Sequence, residues 1–404
     1  MTGNPPSFPE YFSLDLAQTV PKNDVLLVNK YYFPSTGGIE TAVKQYAHWY
    51  EDQGHRVLVL CCAAKRALRS RVEEIDGITV LRAASFGNLL SVPLSPAFLW
   101  HFARLASRAR ILHINLQFPL ASMAFFLAHK VIKGKTVVSY HCDVYRQRYL
   151  KQFTYLFDRF AARRADLVLS GSPVLKERSE VLGNIGREVD VLPYAADLSH
   201  IEHCLAQPPG VQVPEHFASE GYCVFFGRLV SYKGCESLEL AFRQLMERKE
   251  PVNLVVFGSG PEEQRFSKLS QDYPDRVHFI NAFVSDVAKY HLIRNSRLFL
   301  FPSVYYSEAF GIAQLDAMAC ATPILNCWLH TGVNWVAPAG EAAATVAPGD
   351  ADQLAFAILQ LLSDPARLAA LGNAGQQRCK AIFSEGAVRA CFNTLISRLL
   401  GGRA

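Results

Sequence analysis

The first half of the chain alternates short, continuous apolar runs with longer stretches whose apolar residues recur at helical spacing. Runs of this length, rich in Val, Leu and Ile, are typical of strands that a parallel sheet buries on both faces. They predict strands at residues 25–31, 56–62, 78–82, 111–115, 136–140, 165–170 and 189–193. The helical spacing predicts helices at residues 42–50, 120–132 and 148–164. Strands that alternate with helices indicate an α/β domain.

A second α/β series follows a Pro-rich, apolar-poor stretch near residues 205–214. Its predicted strands are residues 222–226, 253–257, 277–280 and 298–301, and its predicted helices are residues 238–246, 312–319, 354–362 and 364–383. A chain of 404 residues is too long for one ordinary hydrophobic core. We therefore predict two domains, 1–200 and 215–385, and expect a last helix, within 386–404, to return to the first domain.

The predicted helix at residues 148–164 has the clearest two-sided pattern in the chain. Its apolar face is predicted to contain Tyr149, Leu150, Phe153, Leu156, Phe157 and Phe160. Its opposite face is predicted to carry Tyr155 and the four cations Arg148, Lys151, Arg159 and Arg163. Such a basic face is either solvated or faces the anionic headgroups of a membrane.

Positive charge surrounds this helix. From Arg82 to Arg164 the chain has 13 Lys or Arg residues and only two carboxylates, Asp143 and Asp158, whereas the net charge of the whole chain is +5. A region this basic indicates an anionic partner: nucleic acid, anionic lipid or a phosphorylated acceptor. Because no recognised nucleic-acid-binding motif accompanies it, we expect an anionic membrane surface and no nucleic acid.

The ten cysteines show no C-x-x-C pair and no metal-ligand spacing, which is typical of reduced, mostly buried thiols in a cytosolic protein. Residues 1–22 lack the charged start and apolar core of a signal peptide. The longest apolar run, 118–128, is far shorter than a membrane span. We expect a cytoplasmic protein that is peripheral on the inner face of the cell membrane.

Candidate ligand-binding residues lie where predicted strands end, the edge at which open α/β sheets bind ligands. After the strand at 298–301 come Glu308 in a loop, Gly311 at the start of a helix and Asp316 on that helix. Eight residues separate the two carboxylates, roughly 12 Å along a helix. This separation suits contacts with two parts of one long ligand and is too great for a shared proton. The alternative is a helix cap and a solvated carboxylate.

Cations and glycines follow other predicted strands. Arg228 and Lys233, beside glycines at a strand end, suit a diphosphate. The glycine turns at Gly37–Gly38 and at Gly258 either let backbone approach a ligand closely or are plain tight turns.

Three further positions complete the candidates. His141 ends the strand at 136–140, and the backbone near Val284, after the strand at 277–280, is placed to receive a base. The only D-x-D motif begins at Asp350 and precedes a helical pattern, so we interpret Asp350 as a helix N-cap and predict no metal site.

Five stretches, in this order, resemble the retaining GT-B glycosyltransferases of family 4, and together they cover residues from about 25 to 385. The stretch from Glu308 to Asp316 resembles the E-x7-E signature of that family, with Asp in the second place. The five stretches are Gly37-Gly38-Ile39-Glu40, Tyr140-His141-Cys142-Asp143, Gly227-Arg228 with Lys233-Gly234, Phe257-Gly258-Ser259-Gly260-Pro261, and residues 308–319.

The resemblance implies two Rossmann-like domains that face each other across a cleft, in the GT-B arrangement. The first domain would face the acceptor and the membrane, and the second would hold a nucleotide sugar as co-substrate, without a metal or another cofactor. Catalysis would proceed with retention of anomeric configuration, assisted by the donor phosphate, and we name no protein nucleophile.

The resemblance also implies a role for each matching residue. Arg228 and Lys233 would hold the donor diphosphate and neutralise its charge as the glycosidic bond breaks. Glu308 would bind hydroxyls of the transferred sugar, Asp316 would bind the ribose, and His141 would touch the sugar near the reacting face. The remaining donor-binding positions would act through backbone groups: Gly37, Gly38, Gly258, Val284, Phe310, Gly311 and Ile312.

The family implies transfer of a hexose to a lipid-linked or polysaccharide acceptor in cell-surface glycan biosynthesis. Residues 302–336 resemble bacterial members, many of which use GDP-mannose, so we expect mannose first and a UDP-hexose second. Two departures, Asp316 for Glu and Ala321 for the usual Gly, leave open a protein that binds a sugar nucleotide without turnover. Arg228, Lys233 and Glu308 are all present and favour the enzyme.

Overall fold

A computed structural model describes residues 24–401, apart from 36, 90–91, 117, 144–147 and 283; the side chains of 148–150 and 153 also lie outside the description. The chain divides into two compact units. The first is Met1–Leu192 with Arg389–Ala404, and the second is Pro193–Val388. Each unit has its own sheet and its own hydrophobic core.

The first unit is built on an eight-stranded sheet whose order is β10-β9-β8-β7-β1-β2-β4-β3. All of its described pairings are parallel except β3 with β4. Two very short strands, β5 and β6, form a separate antiparallel hairpin. The strands are β1 (Val25–Val28), β2 (Val57–Cys62), β3 (Arg71–Ile75), β4 (Ile78–Ala83), β5 (Asn88–Leu89), β6 (Val92–Pro93), β7 (Ile111–Leu116), β8 (Lys135–Tyr140), β9 (Leu167–Ser170) and β10 (Asp190–Val191).

Helices pack on this sheet. Each strand predicted for the first half of the chain is present, and its ends differ from the prediction by a few residues at most. The helix predicted at 120–132 ends at 128, and the chain then passes through Gly134 to enter β8. A Cβ at Gly134 would collide with the carbonyls of Ala109 and Arg110. The helices of this part of the chain are α1 (Gly38–Asp52), α2 (Pro96–Ala106), α3 (Pro119–Ala128), α4 (Arg148–Arg164) and α5 (Pro173–Arg178).

The second unit contains a six-stranded parallel sheet of order β13-β12-β11-β14-β15-β16. Its strands are β11 (Cys223–Phe226), β12 (Leu254–Phe257), β13 (Val277–Ile280), β14 (Leu298–Phe301), β15 (Ile324–Cys327) and β16 (Ala343–Val346). The helices that follow in the chain are α6 (Leu198–Leu205), α7 (Glu215–Glu220), α8 (Cys235–Glu247), α9 (Glu263–Asp272), α10 (Asp286–Arg294), α11 (Ala313–Ala319), α12 (Gly332–Val336), α13 (Ala351–Leu362), α14 (Pro365–Arg378) and α15 (Glu385–Leu399).

Both sheets are of the Rossmann kind, with the first strand of the series in the middle. In the second sheet, β11 pairs with β12 on one side and with β14 on the other, so the strand order reverses at β11. In the first sheet, β1 pairs with β2 and with β7 in the same way. Such switch points create a crevice at the carboxyl ends of the two strands, which is where α/β sheets bind ligands.

The boundary between the units lies at Leu192 and Pro193, whereas the sequence placed it between residues 200 and 215. The Pro-rich stretch therefore lies inside the second unit. The reason is that α6 is attached to that unit: His200 Nε2 lies 3.0 Å from Asp286 Oδ2 of α10. The N–H of Ala196 also donates to the carbonyl of Phe383 at 2.7 Å.

The predicted faces of α4 are wrong at two positions. Tyr155, placed on the polar face, is 3% exposed and belongs to the core, whereas Leu156, placed on the apolar face, is 65% exposed. The buried side of α4 is formed by Tyr155, Asp158, Ala161 and Ala162. The helix is therefore rotated about its axis relative to the orientation that the sequence predicted.

The cations predicted to face a membrane bind the chain itself. Lys151 Nζ lies 2.6 Å from Glu180 Oε1, Arg159 donates to the carbonyl of Glu180 at 2.7 Å, and Arg163 donates to the carbonyl of Asn184 at 2.9 Å. The side chain of Arg148 lies outside the described residues. These contacts attach α4 to the segment 180–184.

Two other expectations concern burial and membranes. Eight of the ten cysteines are buried, the other two are half-buried, and all are free thiols, which confirms the prediction of buried thiols. Within the described ranges no single helix is long and apolar enough to cross a bilayer, although α13 and the segment 365–383, a pair bent by 99°, meet the length and composition criteria together.

Candidate active site

An ion pair joins two loops at the switch point of the second sheet. The ammonium of Lys233, after β11, lies against Oε2 of Glu308, after β14. Both side chains are largely withdrawn from solvent, at 15% and 12% exposed. The Lys233 ammonium also lies 5.0 Å from the centre of the Phe301 ring. The structure therefore brings together the two charged residues that the sequence assigned to the diphosphate and to the sugar.

Backbone contacts between the same two loops hold this pair in place. The N–H of Val304 donates to the carbonyl of Tyr232 at 2.9 Å. Gly234 has a φ of +75°, and a Cβ on it would collide with the carbonyl of Pro302. A side chain at residue 234 would therefore both strain the backbone and push the loops apart. Glycine at this position lets Lys233 approach Glu308.

Two further groups orient Glu308. Ser303, which is buried directly after β14, has its hydroxyl 3.5 Å from Glu308 Oε2. The Thr331 hydroxyl donates to the backbone carbonyl of Glu308 at 2.8 Å. Sequence reasoning did not identify either residue. The sequence did contain a signal for Ser303, because this residue lies just after the end of β14. It contained no such signal for Thr331.

Arg228 differs from Lys233 in having an exposed side chain, which forms no ion pair with any described residue. Its neighbour Gly227 lies against Gly258, where a Cβ would collide with the Gly227 carbonyl. The N–H of Leu229 also donates to the carbonyl of Ser259 at 2.9 Å. Close packing of the two turns thus explains Gly258 without a ligand, and the same packing fixes the base of the Arg228 loop.

The segment 310–312 offers backbone donors beside Glu308. The side chain of Phe310 is 5% exposed and packs on Tyr194, with ring centres 4.8 Å apart, so only its backbone is available to a ligand. Among the described residues no acceptor is hydrogen-bonded to the N–H of Gly311 or Ile312. Gly311 has a φ of +78°, and α11 begins two residues later.

Asp316 is half-buried on α11 and belongs to a separate polar cluster with α10. Its carboxylate lies 3.6 Å from Lys289 Nζ and accepts a hydrogen bond of 3.4 Å from the Tyr290 hydroxyl. Lys289 also pairs with Asp286 at 3.2 Å. Burial raises the pKa of Asp316, and the Lys289 ammonium opposes that rise. The sequence carried no signal for Lys289 or Tyr290, because only tertiary packing brings α10 beside α11.

The second departure from the family pattern has a structural consequence. Ala321 has a φ of +56°, in the left-handed region where glycine is unstrained. A Cβ on Gly372 would collide with the Ala321 carbonyl. The turn after α11 is therefore formed with alanine at the cost of backbone strain, and the polar groups around Lys233 and Glu308 are not involved.

In the first unit, His141 lies at the carboxyl end of β8 as the sequence predicted. It is 5% exposed, and its Nε2 lies 3.0 Å from Oδ1 of Asn115 at the end of β7. Burial lowers the pKa of His141 to about 3. The imidazole is therefore neutral at pH 7, and its Nε2–H donates to Asn115, a partner that the sequence analysis did not identify.

Gly37 and Gly38 begin α1 after β1, with Gly37 as the N-cap. A Cβ on Gly37 would collide with the carboxylate of Glu40, which therefore lies over this glycine. Burial raises the pKa of Glu40. A phosphate could approach Gly37 only if this carboxylate were protonated or turned away.

Two remaining predictions concern helix starts. Val284 is half-buried between β13 and α10, and Ser285 caps α10 by accepting the N–H of Ala288 at 3.3 Å. Asp350 is the N-cap of α13, since its Oδ1 accepts the N–H of Gln353 at 2.9 Å. This confirms the interpretation of the D-x-D motif as a cap.

Comparison with known proteins identifies the family to which the chain belongs. The sequence model of the "Glycosyl transferases group 1" family matches residues 211–378, and that of the "Glycosyl transferase 4-like domain" matches residues 37–195. Together they span most of both units. The chain belongs to the GT-B glycosyltransferases of family 4.

Two relatives and one solved structure illustrate the likeness. O-antigen chain mannosyltransferase C of Escherichia coli is 25% identical over 382 residues, covering 94% of this chain and 100% of the relative. D-rhamnosyltransferase WbpZ of Pseudomonas aeruginosa is 27% identical over 366 residues, covering 89% and 92%. The crystal structure of Anabaena HepE in complex with UDP and glucose has a TM-score of 0.68 at 19% identity, covering 93% of this chain and 99% of that chain.

These findings define the class of enzyme. The protein is a glycosyltransferase of polysaccharide or glycolipid biosynthesis, with two Rossmann-like α/β units of the GT-B kind.

Proposed function

We propose that this protein transfers mannose from GDP-mannose to a lipid-linked or polysaccharide acceptor, with retention of anomeric configuration. The observation that carries the proposal is the Lys233–Glu308 pair at the switch point of the second sheet. A cation for the diphosphate and a carboxylate for sugar hydroxyls are adjacent, as a nucleotide sugar requires. The mannosyltransferase among the relatives favours mannose, and HepE, with its UDP and glucose, keeps a UDP-hexose as the second candidate.

The chemistry assigned to these residues is electrostatic. As the bond between the anomeric carbon and the diphosphate oxygen breaks, negative charge grows on the leaving diphosphate. Lys233 and Arg228 stabilise that charge, so we propose that no metal is needed. The acceptor hydroxyl attacks from the same face and passes its proton to the departing phosphate oxygen. Glu308 meanwhile holds the sugar hydroxyls.

The remaining assignments follow the family pattern. The N–H groups of Gly311 and Ile312 bind the sugar or a phosphate oxygen, and Asp316 binds the ribose. His141, neutral and oriented by Asn115, is a hydrogen-bonding group for the sugar and carries no charge at pH 7. We place the enzyme in the cytoplasm, at the inner face of the membrane, because a lipid-linked acceptor would be met there.

The experiment that tests this proposal is a panel of donors. GDP-mannose, UDP-glucose, UDP-galactose and UDP-N-acetylglucosamine are each added to the protein, and thermal unfolding and slow donor hydrolysis are measured. We expect GDP-mannose to raise the melting temperature most and to be hydrolysed fastest. Preference for a UDP sugar would show that the donor is that sugar and not GDP-mannose. Binding without hydrolysis or transfer for all four would contradict the proposed reaction.

A further inference from the structure

The first unit has an apolar cavity that the proposed chemistry does not use. It has a volume of about 410 Å³ and lies between the β5–β6 hairpin and helices α2, α3 and α4. Leu99, Met123 and Phe157 are among the residues that form its walls. This volume is in the range of small-molecule binding sites, roughly 300–1,000 Å³.

The two polar side chains in the cavity lining, Ser95 and Thr154, already donate their hydroxyl hydrogens to backbone carbonyls. The Ser95 hydroxyl donates to the carbonyl of Ala84 and accepts the N–H of Phe98. The Thr154 hydroxyl donates to the carbonyl of Lys151 at 2.9 Å. A peptide in this cavity would bury backbone N–H and C=O groups without partners, which is costly. A hydrocarbon chain has no such groups.

The mouth of the cavity is also apolar. Phe86, Leu89 and Leu94 line the cavity and are nevertheless 46%, 59% and 46% exposed. Exposed apolar residues that continue into a cavity mark a ligand groove or a membrane contact. The hydrocarbon surface thus runs without interruption from the solvent into the interior of the first unit.

The charges of this region complement a lipid with an anionic headgroup. The sequence has no Asp or Glu from residue 77 to residue 142, and helices α2 and α3 therefore carry no carboxylate. The next two carboxylates along the chain, Asp143 and Asp158, are both buried. Two exposed cations, Lys65 and Arg66, lie near the mouth of the cavity. The next residue, Ala67, forms two backbone hydrogen bonds with Ser85, the neighbour of Phe86.

We propose that this cavity binds the hydrocarbon chain of the lipid phosphate that carries the acceptor. The lipid enters with its chain among Leu99, Met123 and Phe157, and its phosphate stays at the basic surface outside. The cavity is a binding site for a prenyl or acyl chain whatever the sugar donor is. Its assignment to the acceptor, and not to bulk membrane lipid, rests on the proposed function.

The test measures binding of farnesyl phosphate to the full chain by calorimetry, with farnesol and inorganic phosphate as separate probes. We expect farnesyl phosphate to bind more tightly than farnesol, and inorganic phosphate alone to bind far more weakly than either. Leu89→Ser, at the exposed mouth, is expected to weaken farnesyl phosphate binding at least tenfold. Met123→Trp, which fills the cavity, is expected to do the same.

Phe356→Ser is the matched control, because Phe356 is 60% exposed but lies in the second unit. Equal affinity in the wild type, the control and Leu89→Ser would overturn the proposal. Since Leu89 is at the surface, this variant decides the matter even when Met123→Trp does not fold.

Two readouts separate the acceptor from other lipids and from the proposed function. We expect farnesyl phosphate to inhibit transfer to a lipid-linked acceptor competitively. If Leu89→Ser loses sedimentation with phosphatidylglycerol vesicles but keeps wild-type affinity for farnesyl phosphate, the cavity is a bulk membrane contact and the proposal is wrong. Donor hydrolysis by the wild type is measured in parallel; its absence would count against the proposed reaction alone.

Discussion

Lys233 and Glu308 form an ion pair between the loops that follow two neighbouring strands, β11 and β14. Seventy-odd residues of chain separate them, yet Gly234 and Val304 hold their loops in direct backbone contact. In the proposed reaction the pair opens: Lys233 turns to the diphosphate and Glu308 to the sugar hydroxyls. Each residue thus holds the other in position until the donor replaces both contacts.

Removal of the Lys233 ammonium should abolish most transfer. Lys233→Ala is expected to lower kcat/KM by roughly 10²–10³-fold, the size of the effect when one preorganised group that stabilises developing negative charge is lost. The measurement is steady-state transfer, with thermal unfolding to verify that the fold is intact. Lys268→Ala, which removes an exposed lysine of α9, should be close to wild type. Wild-type turnover in Lys233→Ala would show that Lys233 does not stabilise the leaving diphosphate.

Glu308→Gln separates sugar binding from nucleotide binding. The amide keeps the size of the side chain and the contact with Ser303 but loses the charge that holds Lys233. We expect transfer to fall at least tenfold while the Kd for GDP changes less than threefold, because GDP lacks the transferred hexose that Glu308 is proposed to bind. Calorimetry with GDP and a transfer assay give the two numbers. A defect confined to GDP affinity would assign Glu308 to the nucleotide instead.

Gly234→Ala tests the contact that holds the two loops together. Gly234 has a φ of +75° and no room for a Cβ beside Pro302, whereas Gly54 has a φ of +82° with nothing near its Cβ position. Gly54→Ala therefore measures backbone strain alone, on the order of 1–2 kcal/mol. We expect Gly234→Ala to lower the melting temperature further and to lose transfer. Equal melting temperatures for the two variants would show that the contact with Pro302 is unimportant.

Asp158 makes stability depend on pH. It is 2% exposed, and its Oδ1 has no hydrogen-bond partner among the described residues. Burial raises its pKa to about 7. From about pH 4 upward the unfolded chain loses this proton while the folded protein keeps it, so stability falls as pH rises to about 7 and is then unaffected by this group.

Asp158→Asn should remove this part of the pH dependence. We expect the stability of the variant relative to the wild type to increase as pH rises from 5 to about 7, and to stay constant up to pH 8. The increase is about 1.4 kcal/mol for each pH unit between the unfolded and the folded pKa of Asp158. Thermal unfolding across this range is the measurement. Asp275→Asn, which changes an exposed carboxylate, is the control. Parallel curves for the wild type and Asp158→Asn would contradict the raised pKa.

The sequence predicted most strands of both sheets because a buried parallel strand is a continuous apolar run. It did not predict β15 and β16 of the second sheet. It also did not predict β3, since Arg71, Glu73 and Glu74 give this edge strand a charged sequence. The faces of α4 were wrong because periodicity alone cannot decide which side of a helix meets the core when Tyr155 and Leu156 are neighbours.

Of the site, the sequence could predict which residues follow strand ends but not which strands are adjacent. The pairing of Lys233 with Glu308 depends on β11 lying beside β14, and these strands are separated in the chain by β12 and β13. The partners of Asp316, Lys289 and Tyr290, depend in the same way on helix packing. Motifs identified the charged groups, and tertiary structure determined their partners.

The most direct test of the central claim is proton NMR of GDP-α-mannose during incubation with the protein. The spectrum reports both cleavage of the donor and the anomer that is released first. We predict that α-mannose appears before mutarotation, and that Lys233→Ala slows its release by at least two orders of magnitude. Release of β-mannose first would contradict retention. An intact donor, with or without an acceptor, would contradict mannosyl transfer from GDP-mannose.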